Sequence, residues 1–193
     1  MSADSSAGRR SVFAVRAYLR AHFTTAGITT EPQAASVTFL GVEPIEVLRF
    51  GPDDDGVFHY VSVGGSVSVG GSRDTANTPA EVVVSLRGTS VGTGLARSVA
   101  VLAAAPAVEG LQLTGDALVD LGRPLWKDTA FTAFLLGASD IQPLTDVEFF
   151  QAIPITPTEA AWVRLKGADA MRLAWRDDGV DVLDPRRRAS SPS

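Results

Sequence analysis

Apolar residues near the start of the chain recur at every third or fourth position from Val12 to Phe23, with arginines on the opposite face. This period predicts a helix that begins near Ser11, ends near Gly27 and packs one face against a sheet. The residues before it are small and polar, so we expect residues 1–10 to be disordered.

Segments rich in Val, Ile, Phe and Tyr follow this helix and predict β-strands. Two of them, Ile45–Phe50 and Val57–Val63, are separated by Gly-Pro-Asp-Asp-Asp-Gly, a turn sequence that predicts a hairpin. The residues from Gly64 to Asn77 are rich in Gly and Ser and predict an exposed loop that is suited to contacts. The remaining predicted strands are Ser36–Leu40, Glu81–Arg87, Phe131–Leu136 and Val147–Pro154.

Two helices are predicted in the second half of the chain. A helix of small residues runs from Thr93 to Ala105, where the following proline is expected to end it. Thr156-Pro157-Thr158-Glu159 is a capping box with proline at the first helical position, and it predicts a helix that Gly167 interrupts. The arginines and serines at the end of the chain predict a disordered tail at residues 186–193.

The order of these elements predicts an α+β fold in which helices pack on a mostly antiparallel sheet. A length of 193 residues with 45% hydrophobic residues is enough for one domain with its own core, which we place at residues 11–185. The net charge of -5 makes nucleic acid an unfavourable partner, because the phosphate backbone is also negative.

No segment of the sequence is suited to cross a membrane. The longest apolar run, Val99–Val108, contains a proline and is about half as long as the roughly 20 residues that a membrane-spanning helix needs. Arg9-Arg10 resembles the start of a twin-arginine export signal, but Arg16 and Arg20 interrupt the apolar stretch that must follow. We therefore expect a cytoplasmic protein that has no membrane partner.

Reactive side chains are scarce in this sequence. There is no cysteine, and the histidines are His22 and His59, so a Cys nucleophile and a Cys/His zinc site are excluded. The three consecutive carboxylates after Pro52 lack the alternate spacing of a calcium loop. We predict no metal, no cofactor and no catalytic residue, and we expect His59 to be a partly buried, hydrogen-bonded side chain.

One motif keeps an enzymatic alternative open. Gly88-Thr89-Ser90-Val91-Gly92 matches G-x-S-x-G between a predicted strand and a predicted helix, which is the context of a nucleophile elbow. A serine hydrolase with this arrangement needs a histidine later in the chain, and none follows Ser90. A hydrolase that uses Ser90 is therefore one alternative, and a self-associating regulatory or structural module is another.

The segments that carry these elements occur in an order that resembles the suppressor of fused family in its compact bacterial form. The resemblance covers most of the chain and includes Tyr18–Phe23, Ile45–Phe50, Phe58–Ser66, Glu81–Leu86 and Phe149–Glu159, with Gly167 eight residues beyond. The chain departs from the family at Val63-Gly64-Gly65-Ser66, where members usually have a Thr-Gly-Met-Ser type of turn. Contacts that depend on that threonine and methionine are not transferred.

The resemblance implies a non-enzymatic domain that binds another protein. Animal members of the family sequester Gli transcription factors, and many bacterial members look like immunity proteins that neutralise toxins. For this chain we expect a protein partner, with steric blockade of a toxin as one form of the function. Exposure and charge around the predicted turn and glycine-rich loop select the candidate contact residues Asp53, Asp54, Asp55, Arg73 and Asp74.

Overall fold

A single seven-stranded sheet organises the part of the chain that the structure describes. The structure is a computed structural model that describes residues 2–70, 78–88 and 93–190, the side chains of residues 2–10 and 68–70 excepted. The strands are β1 Gln33–Phe39, β2 Val42–Phe50, β3 Val57–Val63, β4 Ala80–Arg87, β5 Leu118–Asp120, β6 Ala133–Ala138 and β7 Glu148–Ile155. The helices are α1 Ser2–Thr25, α2 Gly65–Gly70, α3 Leu95–Glu109, α4 Pro157–Lys166 and α5 Ala168–Asp177.

The strands lie in the order β1-β2-β3-β4-β7-β6-β5. β4 and β7 run parallel to each other, and all the other neighbouring strands in this sheet pair antiparallel. Helices cover both faces of the sheet. The predicted α+β fold with a mostly antiparallel sheet is therefore confirmed.

Alternating side chains divide the core between the two faces of the sheet. On β4, Val82 and Val84 belong to the hydrophobic cluster that includes α3, whereas Val83 belongs to the cluster that includes α1. On β7, Phe149 packs in the α1 cluster and Ile155 in the α4–α5 cluster. These two residues are an even number of positions apart, so α1 and α4–α5 share the face opposite α3.

The local sequence patterns were sufficient for several elements. The predicted hairpin is confirmed by the antiparallel pairing of β2 with β3, and β4 matches the predicted strand Glu81–Arg87 closely. β6 and β7, which correspond to the predicted strands Phe131–Leu136 and Val147–Pro154, are neighbours in the sheet. The capping box is present, because Thr156 Oγ1 accepts the Glu159 N–H at 3.3 Å and Glu159 Oε2 accepts the Thr156 N–H at 2.9 Å. The break at Gly167 separates α4 from α5.

α3 continues past the proline that was expected to end it. Pro106 lies inside the helix, which ends at Glu109. Pro106 has no N–H to donate, but its carbonyl still accepts the Gly110 N–H at 3.2 Å. Gly110 has a φ of 68° and ends the helix in a left-handed conformation. The proline therefore removes one hydrogen bond from the last turns without ending the helix.

The first helix begins earlier than the sequence pattern indicated. The helix spans Ser2–Thr25 and is continuous through residues 2–10, so Ser11 is not its first residue. Alanine and arginine in this segment have good intrinsic helix propensity, which extends a helix that is already anchored by its later turns.

The predicted loop after β3 starts with a short helix instead. The carboxylate of Glu81 is fully buried, and its Oε1 accepts the backbone N–H groups of Gly64 at 2.9 Å and Ser66 at 3.1 Å. Oε1 also accepts the Ser66 hydroxyl hydrogen at 2.7 Å, and Oε2 accepts the Ser62 hydroxyl hydrogen at 2.5 Å. This carboxylate therefore fixes the start of α2. The rest of the predicted loop, at residues 71–77, lies outside the described residues.

Residues 186–190, which the sequence assigned to a disordered tail, are held against the core instead. The Arg187 guanidinium lies 2.6 Å from Glu159 Oε1, and their side chains are 4% and 0% exposed. It also lies over the rings of Phe131 and Trp175, at 4.9 and 5.3 Å from their centroids. The Glu159 carboxylate thus has a hydrogen-bonded counter-charge from a residue distant in sequence, which offsets the cost of its burial.

Replacing Arg187 with alanine should lower the free energy of unfolding by about 3–5 kcal/mol, because it leaves Glu159 buried without its cation. The exposed neighbour Arg188 is the matched control, and Arg188→Ala should change stability by less than about 0.5 kcal/mol. Urea denaturation of both variants measures the difference. Equal stability of the two variants would show that the tail is not part of the folded core.

Candidate functional site

The turn between β2 and β3 is built around the carboxylate of Asp53. Its Oδ1 accepts the backbone N–H groups of Asp55 at 2.9 Å and Val57 at 2.8 Å. The Asp53 backbone exchanges further hydrogen bonds with Val57 and Gly56 at 3.0 Å each. Gly51 enters the turn with a φ of 114°, and a Cβ there would lie 2.7 Å from the Val57 carbonyl oxygen. The turn therefore has one well-defined backbone conformation.

Long-range contacts attach this turn to the end of β4. Arg87 Nη1 donates to the Asp55 carbonyl at 2.9 Å, and the Gly88 N–H donates to the Gly56 carbonyl at 2.8 Å. The backbone N–H of Arg87 donates to the Leu183 carbonyl at 2.8 Å. The turn, the end of β4 and the segment before the C-terminal tail thus meet at one end of the sheet.

A chain of polar side chains runs from the turn into the sheet. His59 Nε2 lies 3.4 Å from Asp53 Oδ2, and His59 Nδ1 lies 2.9 Å from Ser85 Oγ. A carboxylate only accepts hydrogen bonds, so Nε2 carries the proton and Nδ1 accepts the hydroxyl hydrogen of Ser85. The imidazole also packs against the Phe23 ring, with the two ring centroids 5.1 Å apart. The prediction that His59 is partly buried and hydrogen-bonded is confirmed.

Burial sets the charge of His59, and hydrogen bonds set the charge of Asp53. Burial lowers the pKa of His59, by more than the hydrogen bond and charge of Asp53 raise it. Burial would raise the pKa of Asp53, but hydrogen bonds from the Val57 N–H, the His59 ring and the Asp55 N–H outweigh it, so the pKa lies below its usual value. At neutral pH a neutral imidazole therefore lies beside an ionised carboxylate.

Asp53, His59 and Ser85 have the donor order of a serine-histidine-aspartate relay. Ser85 is on β4, a strand with neighbours on both sides, and is 8% exposed. It lines neither of two cavities on the surface, one of about 550 Å³ beside α5 and one of about 390 Å³ beside β5. The Asp53–His59–Ser85 contacts link the turn to β4. Ser90 lies outside the described residues, and both ring nitrogens of His59 are engaged with other groups.

The structure separates the roles of the three candidate aspartates. Asp53 points inward and stabilises the turn, and its side chain is 26% exposed. Asp54 and Asp55 are exposed at the tip. We call Asp53–Gly56, with the carboxylates of Asp54 and Asp55, the acidic turn. The inward role of Asp53 depends on His59 and on the backbone of Val57, so the run of three aspartates alone did not indicate it.

The other two candidate residues, Arg73 and Asp74, lie outside the described residues. The described residues on either side of them follow the end of β3 and precede the start of β4. Val57 pairs with Arg87 near the acidic turn, so in this antiparallel pair the end of β3 and the start of β4 lie at the opposite end. A seven-residue strand is roughly 20 Å long, so these flanks and the acidic turn are about that far apart. A contact role for Arg73 and Asp74 remains a prediction.

The described residues show neither a metal-binding cluster nor a membrane-spanning helix. No group of three or more His, Cys, Asp or Glu side chains is placed to hold a metal ion in the described part of the chain. Among the same residues, no helix has both the length and the apolar character needed to span a membrane.

Sequence reasoning missed the anchoring of the acidic turn by Arg87, because the pattern of β4 gives no information about which carbonyl its last side chain reaches.

The stability of the protein should fall as the pH is lowered from about 7.5 to about 5. The pKa of His59 is below its unfolded value of 6.5, so the unfolded chain binds this proton first as the pH falls. The slope from one proton cannot exceed about 1.4 kcal/mol per pH unit. Asp53 does not contribute to the slope between pH 7.5 and 5. Its pKa is lowered on folding, so the stabilisation that it provides is lost only below about pH 3.8.

Urea denaturation as a function of pH measures this slope. His59→Gln should reduce the slope between pH 7.5 and 5. The matched control His22→Gln leaves the Asp53–His59–Ser85 contacts in place and should retain most of the slope, because the charge of His22 is the smallest of the causes that act on the pKa of His59. An unchanged slope in His59→Gln would mean that a group other than His59 is responsible.

Comparison with solved structures relates this fold to known proteins. A suppressor of fused homologue from Neisseria gonorrhoeae FA 1090 matches with a TM-score of 0.72 and 19% identity, over 96% of this chain and 99% of that chain. A chain of the Sufu-Fu complex matches with a TM-score of 0.69 and 14% identity, over 93% and 91%. Drosophila Suppressor of Fused matches with a TM-score of 0.55 and 15% identity, over 77% of this chain and 43% of that chain. These likenesses show a shared fold.

Comparison with curated proteins gives no match. The family model described as Suppressor of fused protein (SUFU) matches residues 41–188, which is well over half of the chain. The match begins before β2 and ends after the buried Arg187, so it includes the acidic turn and the held tail. The resemblance seen in the sequence is thereby confirmed, and the chain belongs to the suppressor of fused family.

Proposed function

We propose that this protein is a non-enzymatic, cytoplasmic module that binds another protein, and that it acts as an immunity protein by covering the active site of a toxin. The observation that carries the proposal is the match to a chain of the Sufu-Fu complex over 93% of this chain. That protein is in a complex with a protein partner, and a binding function is supported by the shared family.

The acidic turn is the contact surface that we favour. Its backbone is fixed by Asp53 and attached to β4 by Arg87, so binding does not have to order a flexible loop. A preorganised loop on a rigid scaffold loses little conformational entropy when it binds. Asp54 and Asp55 extend from this turn into solvent. A fixed pair of carboxylates is well suited to recognise lysine or arginine side chains at a defined spacing.

The charge of the whole chain supports a basic partner. The net charge is -5, and the acidic turn adds a local negative potential at one end of the sheet. Complementary charges accelerate encounter between proteins, and the effect decreases as salt screens them. Inhibition itself would be steric, since a domain of this size that rests over an active site prevents access by substrate.

The first experiment is affinity capture of the partner from the native cell, followed by purification of the captured protein. A toxin partner should lose its activity when this protein is added in an equimolar amount. Retention of full toxin activity in the complex would contradict the immunity role. Turnover of a substrate by this protein alone, or labelling of Ser90 by a fluorophosphonate probe, would contradict the non-enzymatic proposal.

Neutralising the acidic turn should slow association with that purified partner. We expect Asp54→Asn with Asp55→Asn to lower the association rate constant roughly threefold to tenfold at low ionic strength, with a smaller effect at high salt. Surface plasmon resonance at several salt concentrations measures this change. The acidic turn is stabilised by the Asp53 carboxylate and by the Asp55 backbone, so both substitutions leave its backbone contacts in place.

The matched control neutralises two exposed aspartates in the loop between β6 and β7, Asp140→Asn with Asp146→Asn. This variant makes the same change in net charge near the opposite end of the sheet. If both double variants slow association equally, only the total charge matters. If neither changes association while the partner still binds, the acidic turn is not the contact surface although the binding function stands.

A further inference from the structure

β1 forms one edge of the sheet and leaves a row of backbone groups open. It pairs with β2, and its other edge is paired with no strand in the described part of the chain. The side chains from Gln33 to Ser36 are all exposed, which means that neither sheet face covers this part of the strand. Val37 and Phe39 are half-buried against the α3 cluster and hold the strand in place.

This edge lacks most of the features that usually prevent edge-to-edge pairing. Proteins protect such strands with charged side chains, proline, bulges or a covering element. No residue of β1 is charged and none is proline, and its exposed centre consists of Ala34, Ala35 and Ser36. A register shift between Val37 and Phe39 is the one irregularity in the strand. The small side chains leave space for another strand to approach from either face.

The chemistry of β1 favours a second copy of this chain over a different protein. An uncharged strand has no like charges to bring together when it pairs with itself, and it offers no charge to select a foreign segment. Glu31, just before the strand, is already paired with Arg20 at 2.5 Å. Identical partners related by a two-fold axis form a closed, self-complementary interface.

One antiparallel register uses the whole strand. When Ser36 lies opposite Ser36 of the second copy, Gln33 is opposite Phe39, and all positions of β1 have a partner. The same register places Leu40, which is fully exposed in the single chain, opposite Pro32 of the second copy. This fully exposed apolar side chain thus obtains an apolar neighbour.

We propose that two copies of this protein associate through antiparallel pairing of β1, with Ser36 on the two-fold axis, to form one continuous sheet. The contact consists mainly of backbone hydrogen bonds with little buried apolar area, so the dimer dissociates on dilution. The proposal goes beyond the proposed function and is independent of the acidic turn, which lies in the β2–β3 connection.

A single cysteine at the axis tests both the contact and its register. The chain has no cysteine, so Ser36→Cys introduces the sole thiol. Opposed residues of an antiparallel pair have Cα atoms about 4.5–5.5 Å apart, which is within the range for a disulfide. Ser36→Cys should therefore form a disulfide-linked dimer on mild oxidation. In Ala34→Cys the two thiols are offset by four positions, about 13 Å along the strands, and should not cross-link.

Sedimentation equilibrium of the unmodified protein over a concentration series provides the second readout. The protein should shift from monomer to dimer, and Ser36→Lys should raise the dimer dissociation constant about tenfold or more, because it places two like charges opposite each other. Ala107→Lys adds the same charge at an exposed position of α3 and should leave dimerisation unchanged. A protein that is monomeric at every concentration, or equal cross-linking of Ala34→Cys and Ser36→Cys, would overturn the proposal.

Discussion

The parallel contact between β4 and β7 is the constraint on which the rest of the structure depends. Ala80–Val83 lies beside Glu148–Gln151 and joins two antiparallel units, β1–β4 and β5–β7, into one sheet. Parallel strands cannot be connected by a tight turn, so the chain must leave the end of β4 and cross the sheet before it returns as β7. α3 lies in this crossover and covers one face, which leaves the other face for α1 and for α4–α5.

Two fully buried carboxylates stabilise the junctions that this topology creates. Glu81 at the start of β4 binds the backbone that enters α2, and Glu159 at the start of α4 binds the tail through Arg187. Each carboxylate connects segments that are distant in sequence, and its acceptor sites are used in these contacts. The same principle operates at the surface, where Asp53 fixes the acidic turn. Acidic side chains therefore organise the backbone of this domain.

The sequence predicted the features whose causes are local. A turn sequence between two alternating segments was enough for the β2–β3 hairpin, and four consecutive residues were enough for the capping box at Thr156. The predictions failed where a distant partner decides. The start of α2 depends on Glu81, and the buried tail depends on Glu159, neither of which is visible in the segments they bind. The same distinction applies to the candidate site. The turn sequence was enough to predict that Asp54 is exposed, whereas the inward orientation of Asp53 depends on its contact with His59, which lies on the next strand.

Hydrogen-deuterium exchange of the free domain and of its complex with the captured partner tests the central claim, that this protein works through a rigid acidic surface. The account predicts slow exchange of the Asp55, Gly56 and Val57 amides in the free domain, because each is hydrogen-bonded within the turn. It also predicts further protection of these amides in the complex. Fast exchange of the turn in the free domain, or a binding footprint that excludes it, would contradict the account.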